Sequence, residues 1–148
     1  MTLQIEPFSV SISEAVDLKQ LAADWHSLEK LQPVAFFLSW KWVSNWLNCY
    51  SPRVLQVSAR ANGKLCAIGL LGICTQKRHG LIHSRQLRLN QTGKTEEDQI
   101  WVEFNDFIGD PEYLDSARSV CLQALLDSRL NFDEIVFSMS SMQVIQSL

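Results

Sequence analysis

Gly93, Lys94 and Thr95 spell the end of a phosphate-binding loop, in which glycine amides cradle an anion and a lysine neutralises it. The full loop needs a second glycine five positions before Gly93, and Arg88 stands there. The segment also lacks the clean strand-to-helix turn that such a loop requires. Gly93-Lys94 therefore reads as the turn of a polar loop, with Glu96, Glu97 and Asp98 as its solvated far side. His79 and His83 are four apart, but in a strand-like stretch that spacing does not bring two metal ligands together, so both read as surface or rim histidines. Cys49, Cys66, Cys74 and Cys121 show no CxxC or Cys/His ligand spacing and sit in apolar contexts, as buried free thiols do. Three tryptophans, Trp40, Trp42 and Trp46, crowd one short segment; they can serve as a ligand platform or as core, and core is the simpler account.

Charge is distributed unevenly along the 148 residues. Residues 31–95 hold no Asp or Glu but nine cations: Lys41, Arg53, Arg60, Lys64, Lys77, Arg78, Arg85, Arg88 and Lys94. From Glu96 onward eleven acids face only Arg118 and Arg129. Such a middle can offer a basic face to an anionic ligand, or the two segments can lie against each other. The sums nearly cancel, to a net −3, which favours the second account and argues against nucleic-acid binding. The first ten residues, "MTLQIEPFSV", do not read as a signal peptide, and the longest apolar run, "LCAIGLLGIC", is about half a membrane span. A cytoplasmic protein with no membrane segment is expected.

These residues need a scaffold, and the pattern supplies one domain over 1–148 without linker or repeat. "LQIEPFSVSI" (residues 3–12) alternates as an opening strand. After Ser13, the spacing of Leu18, Leu21, Ala22, Trp25, Leu28 and Leu31 predicts a helix that Pro33 ends. Ser39 caps a second helix, with Trp40, Val43 and Leu47 on one stripe and Trp42 and Trp46 on another. Asn62-Gly63 between apolar runs is a hairpin turn. "GLIHSRQLRLN" gives a third strand with Leu81, His83, Arg85, Leu87 and Leu89 on one side, and "QIWVEFNDF" a fourth with Ile100, Val102 and Phe104. Asp110-Pro111 caps a third helix with Leu114, Ala117, Cys121, Ala124 and Leu125 inward; "DEIVFSMSS" is a last strand, with Ile135, Phe137 and Met139 alternating. The order β-α-α-β-β-β-β-α-β predicts an α+β fold: a mixed, mainly antiparallel sheet with two N-terminal helices and one later helix.

That order resembles the opening of the GNAT acyltransferase fold. "FFLSWKWVSNWL", the hairpin around "ANGKL", and "LRLNQTG" followed by "DQIWVEFNDFI" look like the N-terminal half of CelD/BcsL-type acetyltransferases, which carry GNAT-like domains and are related to the FemAB group. The resemblance spans nearly the whole chain and implies the acceptor-side portion of a CoA-dependent N-acyltransferase. It places Trp40, Trp42, Glu103 and Asn105 near the acceptor groove, with Glu103 to orient an amine or act as a base. Read without the resemblance, Glu103 is a solvated strand carboxylate and Asn105 a strand-end turn residue.

GNAT enzymes hold acyl-CoA pyrophosphate at a helix N-terminus in an R/Q-x-x-G-x-G/A loop. The corresponding junction here is "DFIGDP". Gly109 matches the first glycine, but Asp106 replaces the Arg/Gln, and Pro111 replaces the second small residue and removes an N–H. Asp110 and Glu112 add negative charge. No cofactor is therefore expected on this chain; acetyl-CoA or another acyl-CoA belongs to the C-terminal GNAT-like domain of the two-domain relatives. The chain stops at "MQVIQSL", just after one strand, so the sheet is expected to be incomplete, with a missing C-terminal half or a homodimer to cover its edge. Not being catalytic alone is one expectation; the alternative is a non-catalytic interaction module that uses that edge.

Overall fold

The computed structural model describes residues 2–5, 7–78, 80–98, 103–141 and 144. The opening segment is two strands rather than one, β1 (Thr2–Ile5) and β2 (Phe8–Ser13), antiparallel with Ile5 opposite Phe8. Pro7 lies in the turn, where its missing N–H costs no ladder bond. Helix α1 (Leu18–Glu29) starts later than expected. Ser13 is spent on a local turn with Ala15, and it is Asp17 that accepts the N–H groups of Lys19 and Gln20 at 2.9 and 3.1 Å. Leu21, Trp25 and Leu28 are buried, while Leu18 and Leu31, the ends of the expected stripe, are exposed.

Helix α2 (Trp40–Tyr50) follows a 3-10 turn and begins where the sequence places it, with Ser39 Oγ accepting the Trp42 N–H at 3.3 Å. Its second stripe is not wholly buried: Val43, Trp46 and Leu47 are inside, and Trp42 is half-buried. Strands β3 (Val54–Ala61) and β4 (Lys64–Arg78) join through Asn62 and Gly63, both at positive φ (50° and 82°), as the hairpin turn demands. Strand β5 (Ile82–Leu89) buries Leu87 and Leu89.

The fourth strand differs most from expectation. Residues 99–102 lie outside the described residues. Glu103 and Phe104 form a turn, Phe104 at φ 56° and exposed, and the next strand among the described residues is β6 (Ile108–Gly109), against β4. Asp110 does not cap α3 (Leu114–Leu126) but the turn before it, accepting the Glu112 N–H at 3.0 Å. The inward residues of α3 are as expected: Ala117, Cys121, Ala124 and Leu125 are buried. Strand β7 (Glu134–Val136) pairs with β5 in parallel and stops there; Met139, expected to continue it, sits at φ 59°.

The result is an α+β fold with a mixed, mainly antiparallel sheet ordered β1-β2-β3-β4-β5-β7, and β6 on the edge of β4 that β5 leaves free. Helix α3 packs on one face over Val10, Leu55, Val57 and Leu71; α1 and α2 pack on the other over Ile68 and Leu70. Polar bonds flank the short β7 ladder. Glu134 meets Arg78 (2.5 Å), Ser84 (2.7 Å) and Gln86 (3.1 Å), and Asp133 chelates Arg85 through its guanidinium and backbone N–H. Among the described residues no strand covers the outer edge of β7.

Candidate functional site: a cleft between helix α2 and the loop after β5

The loop that ends in "GKT" folds back over β4. Gly72 makes this possible, because a Cβ there would overlap the Gln91 carbonyl. The anion in the loop is the protein's own. Asp98 Oδ1 accepts the Thr92 N–H (2.9 Å) and hydroxyl (3.1 Å), and Oδ2 accepts the Gly93 N–H (2.7 Å). The acids of this loop are therefore not all a solvated outer side. Glu96 is exposed, but Glu97 and Asp98 are half-buried because the loop amides and Lys94 draw them in. Lys94 Nζ meets Glu97 Oε1 at 2.8 Å, which lowers the Glu97 carboxyl below the ordinary range and keeps it ionised.

Between this loop and α2 lies a cavity of about 180 Å³. Helix α2 contributes Trp42, Asn45, Trp46, Cys49 and Tyr50; the loop contributes Asn90, Gln91, Glu97 and Asp98. One wall is thus mainly aromatic and the other polar.

The polar wall has a definite sense. Asn105, fully buried, donates through Nδ2 to the carbonyls of Leu89 (2.8 Å) and Ser138 (3.0 Å), so its Oδ1 must be the acceptor turned to Asn90. Asn90 Nδ2 donates to that oxygen at 2.8 Å and to the Asp106 carbonyl at 3.1 Å. Asn90 Oδ1 and Glu97 Oε2 are then buried within the wall and closed to the cleft, and Thr92 adds to the hold of Lys94 on the Glu97 carboxylate. Both are acceptors; the second oxygen belongs to a carboxylate.

The residues nominated from sequence are dispersed. Trp42 lines the cavity and stacks edge-on against Phe37, with ring centroids 4.9 Å apart. Trp40 lies elsewhere, against Trp25 and His26, with its N–H bonded to Glu29 at 2.6 Å. Glu103 is on an exposed turn, outside the cavity lining. Asn105 lies outside this cavity, as a buried cross-link whose amide is used within the protein. Sequence reasoning passed over Asn90, Gln91 and Glu97. The available signal was the run "LNQTG" directly after an apolar strand, where an asparagine suits the left-handed turn that Asn90 adopts (φ 50°).

At the "DFIGDP" junction the acids are matched rather than unopposed. Asp106 receives Arg118 Nε and Nη2, each at 2.8 Å, and Arg118 is itself 2% exposed. Burial pushes the Asp106 carboxyl up, with Arg118 opposing the rise. Asp110 takes Lys64 Nζ at 2.6 Å, which lowers its carboxyl. More widely, Lys64, Arg78, Arg85 and Lys94 of the basic middle pair with acids of the C-terminal third, while Arg53 and Arg60 pair with Glu14 and Asp24 near the N-terminus.

His79 lies outside the described residues, and His83 is exposed. Cys66 and Cys121 are buried, but Cys74 is half-buried and Cys49 is exposed at the end of α2, where the rim of the cleft rather than the core surrounds it. Among the described residues no group of three His, Cys, Asp or Glu is placed to hold a metal ion, and no helix is long and apolar enough to cross a membrane. Comparison with protein-family models, curated proteins and solved structures gave no match.

Proposed function

We propose that this chain is the acceptor-binding portion of a CoA-dependent N-acyltransferase of the GNAT superfamily, with the α2 cleft as the acceptor site. The observation that carries this reading is the make-up of the cleft: an aromatic wall of Trp42, Trp46 and Tyr50 opposite a wall that carries two carboxylates, Glu97 and Asp98. An amine bound as its ammonium meets that negative charge. Glu97 takes the orienting role that the resemblance gave to Glu103. The aromatic wall would cover the carrier of the amine and keep water from it. In the reaction the bound ammonium first gives up one proton to solvent through Glu97; the neutral amine then attacks the thioester carbonyl, the C–S bond breaks, and the amine's second proton passes to the departing thiolate.

The acyl-CoA would be held by a C-terminal GNAT-like half or a partner, since Asp106 and Asp110 at the "DFIGDP" junction are already bound to Arg118 and Lys64. A thermal-shift series tests the reading. An amine at a hundred times its Kd adds about 2.7 kcal/mol, roughly 5–10 °C for a domain of this size. Acetyl-CoA alone leaves the melting temperature unchanged. If no amine stabilises the chain, the cleft is not an acceptor site; a shift with acetyl-CoA would place a cofactor site on this chain.

A second reading rests on the outer edge of β7, which no strand among the described residues covers: an interaction module that adds another chain's strand there. It predicts concentration-dependent dimers in gel filtration, and a clean monomer at all concentrations rules it out.

A further inference from the structure

The β4–β5 hairpin ends in a tip whose make-up the fold itself does not explain. We infer that this tip is a peripheral docking point for an anionic lipid bilayer, into which Leu81 and Ile82 dip while Lys77 meets the headgroups. The inference does not depend on what the α2 cleft holds.

Three observations carry it. The first is composition. Leu81 is 86% exposed and Ile82 64%, although both are large and apolar and they are adjacent. Hairpin turns favour small or polar residues, and the β3–β4 turn has them in Asn62 and Gly63. At the β4–β5 turn Gly80 supplies the positive φ (73°), so the backbone makes no demand for Leu81 or Ile82. Moving both side chains from water into lipid is favourable in proportion to their apolar surface.

The second observation is shape. Strand β4 leaves its last partner in β3 at Gly72 and runs on to Arg78, roughly 20 Å at about 3.4 Å per residue. Beyond Gln76 and Ser84 the two strands pair only with each other among the described residues. The apolar pair thus stands at the apex of a projecting arm. Two side chains fall far short of the roughly 800 Å² that each partner gives to a stable protein interface. A bilayer requires no matching pocket, and an interfacial apolar face sinks only about 5–10 Å into it.

The third observation is charge. Residues 31–95, which include the whole hairpin, contain no Asp or Glu. Arg78 and Arg85 are held by Glu134 and Asp133, whereas Lys77 is exposed and has no carboxylate partner among the described residues. A free cation beside an apolar apex suits a negative surface. A second copy of the chain would bring the same Lys77 charge against it.

Co-sedimentation of the whole chain with vesicles tests this, using phosphatidylcholine alone and an equal mixture of phosphatidylcholine and phosphatidylglycerol. The mixed vesicles are expected to bind about five-fold more tightly, the worth of one lysine near an anionic surface. Lys77→Gln removes that difference. Leu81→Ser combined with Ile82→Ser weakens binding to both vesicles by about ten-fold or more, with the circular dichroism and melting temperature unchanged. No binding to either vesicle overturns the inference, as does binding that the double variant retains in full. Equal affinity for the two vesicle types overturns the anionic surface. Sedimentation velocity without lipid tests the competing occupant: a dimer that the double variant abolishes assigns the tip to a second copy and overturns the inference, and an identical sedimentation coefficient for the two chains supports it.

Discussion

Asn105 shows how one side chain can organise a fold around a turn. Its amide ties the end of β5 (Leu89), the segment after β7 (Ser138) and the Asn90 side chain, at a position with no solvent exposure. The bonds to Leu89 and Asn90 are buried, so water does not readily replace them when they are lost. Asn105→Ala is expected to cost about 3 kcal/mol or more, measured by urea denaturation. A loss below about 1 kcal/mol would mean that water enters and repairs the network. The same substitution also frees the Asn90 amide, so the amide rotates and amine binding in the cleft weakens. Asn105 is thus a positioning residue for a site that it does not touch.

At the scale of elements, the cleft depends on how closely the loop after β5 approaches β4. Gly72→Ala puts a methyl group against the Gln91 carbonyl, a backbone atom that cannot rotate aside. The expected cost is about 1–3 kcal/mol, together with loss of amine binding while the far-ultraviolet circular dichroism is retained. Unchanged binding in that variant would show that the loop's seat does not set the cleft. Much of the element layer was legible. Ser39 announced α2, Asn62-Gly63 announced the β3–β4 turn, and the spacing of Ala117, Cys121, Ala124 and Leu125 announced the inner face of α3. Each of these signals is local. The failures are tertiary. Phe104 has strong strand propensity, yet its turn lets Asn105 reach inward, and that requires partners from β5 and beyond β7. Asp110 has the chemistry of a helix cap, but Lys64, distant in sequence, holds its carboxylate over the preceding turn. The cleft escaped notice for the same reason. Its two walls lie some forty residues apart, so no local pattern joins them.

Across the whole molecule, four cations of the basic middle hold acids of the C-terminal third, and this gives stability a pH dependence of known sign. Arg85 holds the Asp133 carboxyl down at about 2, and Lys64 lowers that of Asp110. Unfolded aspartates titrate near 4, about 3.9 in model peptides. A depressed folded value means that the stabilisation is present above that pH and is lost as pH falls toward 2. Urea midpoints are expected to drop across that window, and Asp133→Asn should flatten part of the slope. An identical slope in the variant would remove Asp133 from the account.

The order of strands in the sheet also bears on how the chain folds. Strands β3, β4 and β5 are successive neighbours, whereas β2 meets β3 only after α1 and α2, and β5 meets β7 only after α3. Contacts between near neighbours in sequence cost the least loop entropy and form early. The meander turned by Asn62 and Gly63 is the natural nucleus, with the flanking strands and their helices condensing upon it. Gly63→Ala strains a residue at φ 82° inside that nucleus, and stopped-flow kinetics should show slower folding with little change in the unfolding rate. Substitutions in β7 should do the reverse and mainly hasten unfolding, so the last strand to arrive is also the first to leave.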